Sequence, residues 1–167
     1  MKAKNKIILL LLILFGCAIA AYFVFAGSGD EAKIRRTLEK MTQLAAKPQE
    51  PKPAELAMKL RILQTVFAEQ VSIEFSAHRF AENYTPRSLE PMLVNFRKHF
   101  ASSDSSMSDL EINLSGSRAD AVFSCRFQAV NRKKERVDEV YDVHCQLVKR
   151  EQTWYIERVS INEILER

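Results

Sequence analysis

Two hydrophobic rhythms divide this chain. From Ile34 the apolar residues recur every three or four positions: Ile34, Leu38, Met41 and Ala45, opposite Arg35, Arg36, Glu39 and Lys40. That period predicts a helix over about 30–47, which Ser28-Gly29-Asp30-Glu31 would open as a capping box. Pro48-Gln49-Glu50-Pro51-Lys52-Pro53 stops it, and a second helix follows over 53–67 with Leu56, Leu60, Leu63 and Phe67 in line. Val71, Ile73 and Phe75 then alternate with polar residues, the mark of a short strand over 71–75. The stretch 76–87 reads as strand edge and loop. A third helix is expected from Ser88 through Leu93, Phe96 and Phe100, with Pro91 in its first turn, and 101–108 reads as a polar loop.

From Leu110 the rhythm is two. Leu110, Ile112 and Leu114 alternate over 109–116, and three longer runs follow at 119–130, 137–148 and 153–161. Phe123, Cys125 and Phe127 share one face, against Ser124, Arg126 and Gln128. Tyr141, Val143, Cys145 and Leu147 share another, against Asp142, His144 and Gln146. Asn131–Arg136 is too charged to bury, so the first two long runs form a hairpin, centred near Glu135 if Cys125 faces Cys145. The third run adds a meander strand. A sheet with one wet face needs cover for its dry one, which the helices supply. The expected order is helix, helix, strand, helix and four strands, a single α+β domain over 30–167.

The N-terminus departs from both rhythms. Ile7–Ala26 is an uncharged apolar run of twenty residues, roughly 30 Å as a helix and enough to cross a bilayer. Lys2, Lys4 and Lys6 precede it while Asp30 and Glu31 follow, which orients the N-terminus inward and exports the rest. Three processing routes share that outcome: an uncleaved signal anchor over 1–29, the leading reading; a signal cleaved after Ala26; and a lipoprotein modified at Cys17. The expectation is a single-pass protein of the cytoplasmic (inner) membrane, held through residues 7–26, with its domain extracytoplasmic, or periplasmic in a bacterium.

Composition then narrows the chemistry. The formal charge of +4 comes largely from the N-terminal lysines; without those three, 22 of the 25 basic residues face 21 acidic ones, a net of +1. A near-neutral domain offers no electrostatic case for nucleic acid. No zinc-type spacing or cofactor motif appears, and the three histidines, His78, His99 and His144, are scattered.

The element order, closed by Thr153-Trp154-Tyr155-Ile156-Glu157-Arg158-Val159-Ser160-Ile161, resembles the nuclear transport factor two-like (cystatin-like, SnoaL-like) superfamily. Many bacterial members end on a G-W-x-I-x-x-V-x-I strand, matched here by Trp154, Ile156, Val159 and Ile161, with Thr153 in place of the glycine. The resemblance implies a cone: three helices packed on a curved antiparallel sheet. It spans isomerases, dehydratases, cyclases and non-enzymatic scaffolds, and an anchored cone looks like the scaffold component of type IV secretion systems.

Enzymes of that fold work at the cone mouth with inward-pointing acid–base groups. His144 and Asp142 alternate outward here. Tyr141 points inward and could bring a hydroxyl to a pocket, though a core tyrosine explains it too. Glu74 and His78 could form a carboxylate–imidazole pair, although Glu74 alternates toward solvent. Cys125 and Cys145 could bridge across the hairpin or pack as free thiols. Arg132, Lys133, Lys134 and Arg136 at the hairpin tip could meet anionic headgroups or an acidic partner, or simply keep the turn solvated. The space between the sheet and Leu60, Leu63, Phe67 and Phe96 could hold a hydrophobic ligand or be filled core. The expectation is a membrane-anchored binding or scaffold module of the cell envelope, joined to a protein partner or a second copy through its sheet. The alternative is a small-ligand carrier or acid–base enzyme of the isomerase or dehydratase type.

Overall fold

The computed structural model describes residues 29–50, 52–76 and 79–163. The apolar run 7–26 expected to be an anchor, its candidate processing sites, Ser28 and His78 lie outside the described residues. The chain divides into two units, 1–33 and 34–167. Of the first, Gly29–Lys33 is described and forms the opening turn of a helix, with the Lys33 amide donating to the Gly29 carbonyl. Among the described residues no helix is long and apolar enough to cross a membrane.

The elements run α1 (Asp30–Leu44), α2 (Pro53–Val66), β1 (Phe67–Phe75), β2 (Phe80–Tyr84), α3 (Pro86–His99), β3 (Phe100–Ser115), β4 (Arg118–Asn131), β5 (Arg136–Arg150) and β6 (Thr153–Glu163). The six strands form one sheet in the order β2-β1-β6-β5-β4-β3. This is the α+β architecture expected, with three helices against one sheet. The core gathers Ile34 and Leu38 of α1, Leu63 and Val66 of α2, Leu89 of α3, and Phe123, Val143, Cys145, Leu147, Trp154, Ile156 and Val159 of the sheet.

The alternation in β4 and β5 holds as read: Ala121, Phe123, Val143, Cys145 and Leu147 are buried while Asp120, Val122 and Asp142 face water. In β6 the inward residues are Trp154, Ile156, Val159 and Ile161, so the period of two breaks once. A bulge between the Gln146 and Leu147 registers absorbs the extra residue, which is why two positions separate Ile156 from Val159.

Five features differ from the sequence reading. The 76–87 stretch contains β2, a short edge strand in antiparallel register with β1. Helix α3 begins at Pro86, because Thr85 caps it: the Ser88 amide donates to Thr85 Oγ1 at 3.2 Å and the Thr85 amide to Ser88 Oγ at 2.9 Å. Pro91 therefore falls in the second turn. Residues 101–108 are strand, continuous with 109–115. Their inward side chains bond to carbonyls at and just beyond the end of α1, Ser103 Oγ to Ala45 (2.7 Å) and Ser105 Oγ to Thr42, so this half of β3 shows no apolar alternation. A short ladder between Lys47 and Ser103 adds two backbone bonds at 2.7 and 2.8 Å. The sheet is also mixed, since β1 runs parallel to β6.

The fifth difference is the hairpin register. Cys125 faces Tyr141, and Cys145 faces Ala121. The two cysteines are thus offset by four residues, about 13 Å along the strands, beyond disulfide reach. Both are free thiols. The turn is shorter than supposed because Asn131 organises it, its Oδ1 accepting from the Lys133 and Glu135 amides at 2.8 and 3.0 Å.

Candidate functional site

Helices on one side and the concave face of the sheet on the other do not meet everywhere. Between them lies an open cavity of about 660 Å³. Its floor is Leu63, Leu89, Phe123, Val143 and Val159. Its walls are Met41 of α1, Leu93 and Phe96 of α3, and Phe75, Phe127 and Ile161 of the sheet. Met92 and Phe96 stand at its rim, 43% and 36% exposed. Phe96, Phe100 and Phe127 form an aromatic cluster with centroid separations of 5.1 to 5.5 Å, and Phe75 meets Tyr141 edge-on at 5.9 Å.

Polar side chains enter this wall at two places: Thr42 and Ser105, whose hydroxyls donate to carbonyls of α1, and Glu139 with Tyr141. Tyr141 faces the cavity, and its hydroxyl donates to Glu139 Oε2. Burial, then the bond to Glu139, then the negative charges of Glu139 and Glu163 push the phenol well above its ordinary range, so it stays a neutral donor. Cys125, directly across from Tyr141, also lines the cavity, and burial raises its thiol pKa. Cys145 is deeper and wholly buried; burial, then the neighbouring Cys125, raise its thiol strongly. Neither thiol is activated for nucleophilic work.

The remaining sequence candidates lie elsewhere. Glu74 is on the outer face, accepting from Ser160 Oγ at 3.2 Å and lying 3.5 Å from Arg158 Nη1. His144 faces outward beside Asp120, at 3.3 Å. Asp142 is exposed on the same face. Arg132, Lys133, Lys134 and Arg136 are exposed at the hairpin tip. Of the four residues named for a ligand space, Leu63, Phe67 and Phe96 line the cavity; Leu60 does not. Among the described residues no cluster of histidine, cysteine and acidic side chains could hold a metal ion.

Glu139 was missed, although the signal existed. Counting back by two from Tyr141 reaches Glu139 and then Val137, and both line the cavity. A charged residue between apolar neighbours reads as solvent-facing unless the strand end is known to open into a cavity.

No family model matches the chain, and no curated protein matches it. Solved structures do. A Kribbella flavida protein, Kfla4162, superposes with a TM-score of 0.69 at 13% identity, over 83% of this chain and 93% of that one. A nuclear transport factor 2-like superfamily protein from Salmonella enterica gives 0.64 at 14%, over 81% and 91%. A hexachlorocyclohexane dehydrochlorinase, LinA-type3 from Novosphingobium barchaimii, gives 0.65 at 7%, over 81% and 86%. At such identities the likeness is one of fold alone, and on that ground this α+β cone has the nuclear transport factor 2-like fold.

Proposed function

We propose that the chain is a membrane-anchored, extracytoplasmic binding module whose cone takes up a small hydrophobic molecule. The observation that carries this reading is the 660 Å³ cavity itself, walled by phenylalanine, leucine and methionine and left unfilled by them. Packed interiors contain few voids larger than a water molecule, whereas ligand sites run from about 300 to 1,000 Å³. The anchor rests on the apolar run 7–26 and its basic flank.

An acid–base enzyme would use Glu139 as base and Tyr141 as donor. Binding is favoured over it because the phenol is already committed to that same carboxylate. The dehydrochlorinase activity in the name of the LinA-type3 protein belongs to that protein.

Cys125 offers a direct test in the full chain in its own membrane. An uncharged maleimide should alkylate Cys125, followed by peptide mass spectrometry, and decanol should slow that reaction. Alkylation that proceeds at the same rate with saturating decanol, or a Cys125 that never reacts in the folded protein, would remove the cavity reading. The anchor is tested on the same material: the protein should begin at Met1, and an N-terminus at Gly27 would replace it with a cleaved signal.

A further inference from the structure

We infer that the cone selects an amphiphile with a cationic head, its apolar body in the cavity and its head against Glu139. The inference rests on the cavity reading and adds the charge of the ligand. Among the described residues lining the cavity, Glu139 is the one charged side chain; the lining contains no lysine, arginine or histidine. The strand register gives it company. Glu163 is the cross-strand partner of Tyr141, and directly opposed residues share a face, so a second carboxylate borders the same rim.

The aromatic residues reinforce the choice. Phe127 is the cross-strand partner of Glu139 and belongs to the cluster with Phe96 and Phe100. An ammonium head placed there meets a carboxylate and the negative faces of aromatic rings together, the combination that recognises alkylammonium ions. Tyr141 donates to Glu139 Oε2, fixing the carboxylate at the rim. An anionic amphiphile entering the same funnel would set its charge against Glu139 and Glu163, with no cation among the described lining residues to answer it. A neutral alcohol is indifferent to both.

The test compares three ligands of one chain length on the full protein in its membrane: decyltrimethylammonium, decanol and decanoate, kept below their aggregation ranges. Each is titrated against maleimide alkylation of Cys125. The cation should protect at a concentration roughly fivefold below decanol, about the strength of a partly screened ion pair, and decanoate should be the weakest. Glu139→Gln should erase the order. Unreactive Cys145 serves as the check that the variant is folded. Should that variant misfold, high salt on the unaltered protein replaces it, since the cation's advantage must shrink with ionic strength. Decanoate protecting as well as the cation, an order that survives Glu139→Gln in folded protein, or an advantage insensitive to salt would each overturn the inference. Protection by none of the three would instead remove the cavity reading beneath it.

Discussion

The guanidinium of Arg97 holds both carboxylate oxygens of Glu55, at 2.9 and 2.7 Å, and so ties α3 to α2. Arg97 is 5% exposed. Its other amino group donates to the Ala46 carbonyl, and Lys59 donates to the Gln43 carbonyl. Helix α1 has no basic residue in its last turn, so these two cations complete its C-terminal end from neighbouring helices. Removing the carboxylate strands buried positive charge. Glu55→Gln should cost about 3 kcal/mol in urea unfolding, and the double variant Glu55→Leu/Arg97→Met should cost less than either single change.

Lys59 makes the same cluster sensitive to alkali. Burial first, and Arg97 second, lower its pKa from 10.5, with Glu55 opposing. Between the lowered value and 10.5 the unfolded chain binds more protons than the folded one, so this group's contribution to stability rises with pH. Lys59→Met should lack that rise. The difference in unfolding free energy between the two proteins, measured from pH 8 to 10.5, should move in favour of the unaltered chain.

Asp138, on the outer face, works in the same sense with pH but in the acid range. Hydrogen bonds from Arg126 at 2.7 and 2.8 Å, then one from Gln128, hold its carboxyl at about 2, against 3.8 ordinarily. Its contribution to stability is present above the ordinary value and is lost as pH falls toward the lowered one. A carbon-13 carboxyl titration should give a midpoint near 2 that climbs toward 3.8 in Arg126→Gln. Salt should raise it as well, since both side chains are about half exposed.

Ser103 tests the first half of β3. Its hydroxyl satisfies the Ala45 carbonyl just beyond the end of α1. Ser103→Ala removes the hydroxyl without adding bulk at this buried position and leaves that carbonyl without its partner. The expected loss is about 1–2 kcal/mol, read as a lowered urea midpoint with an unchanged slope. A loop residue at that position would tolerate the change.

These residues also show what could be read from the chain beforehand. Period-two alternation exposed β4 and β5, because Phe123, Val143 and Leu147 bury against apolar neighbours and their outward partners do not. The same logic, applied with its one irregular step, contained the β6 bulge between Ile156 and Val159. Ser103 and Ser105 defeated it because their inward side chains meet carbonyl oxygens, so the facing element demanded polar residues. The hairpin register escaped for another reason: Asn131 tightens the turn through its side chain, and composition alone does not reveal where such a turn closes. Glu139 shares the parity of Tyr141, and it is passed over only because nothing in the chain shows that this end of β5 opens into a cavity.

The parallel pairing of β1 with β6 bears on how the molecule comes into being. Phe75 meets Ile161, a partner 86 residues later in the chain. Strands β3, β4 and β5 find their neighbours across short turns, whereas β1 must wait for the last strand before its inner edge is satisfied. Long loops closed late slow the search for the native state. Pulse-labelled hydrogen exchange should therefore protect Phe123 and Val143 before Ile73, which pairs with Val159 of β6. A chain delivered N-terminus first holds its opening strand and its first two helices unfinished until the C-terminal strand emerges, so the cone matures from the middle outward and shuts with its final residues.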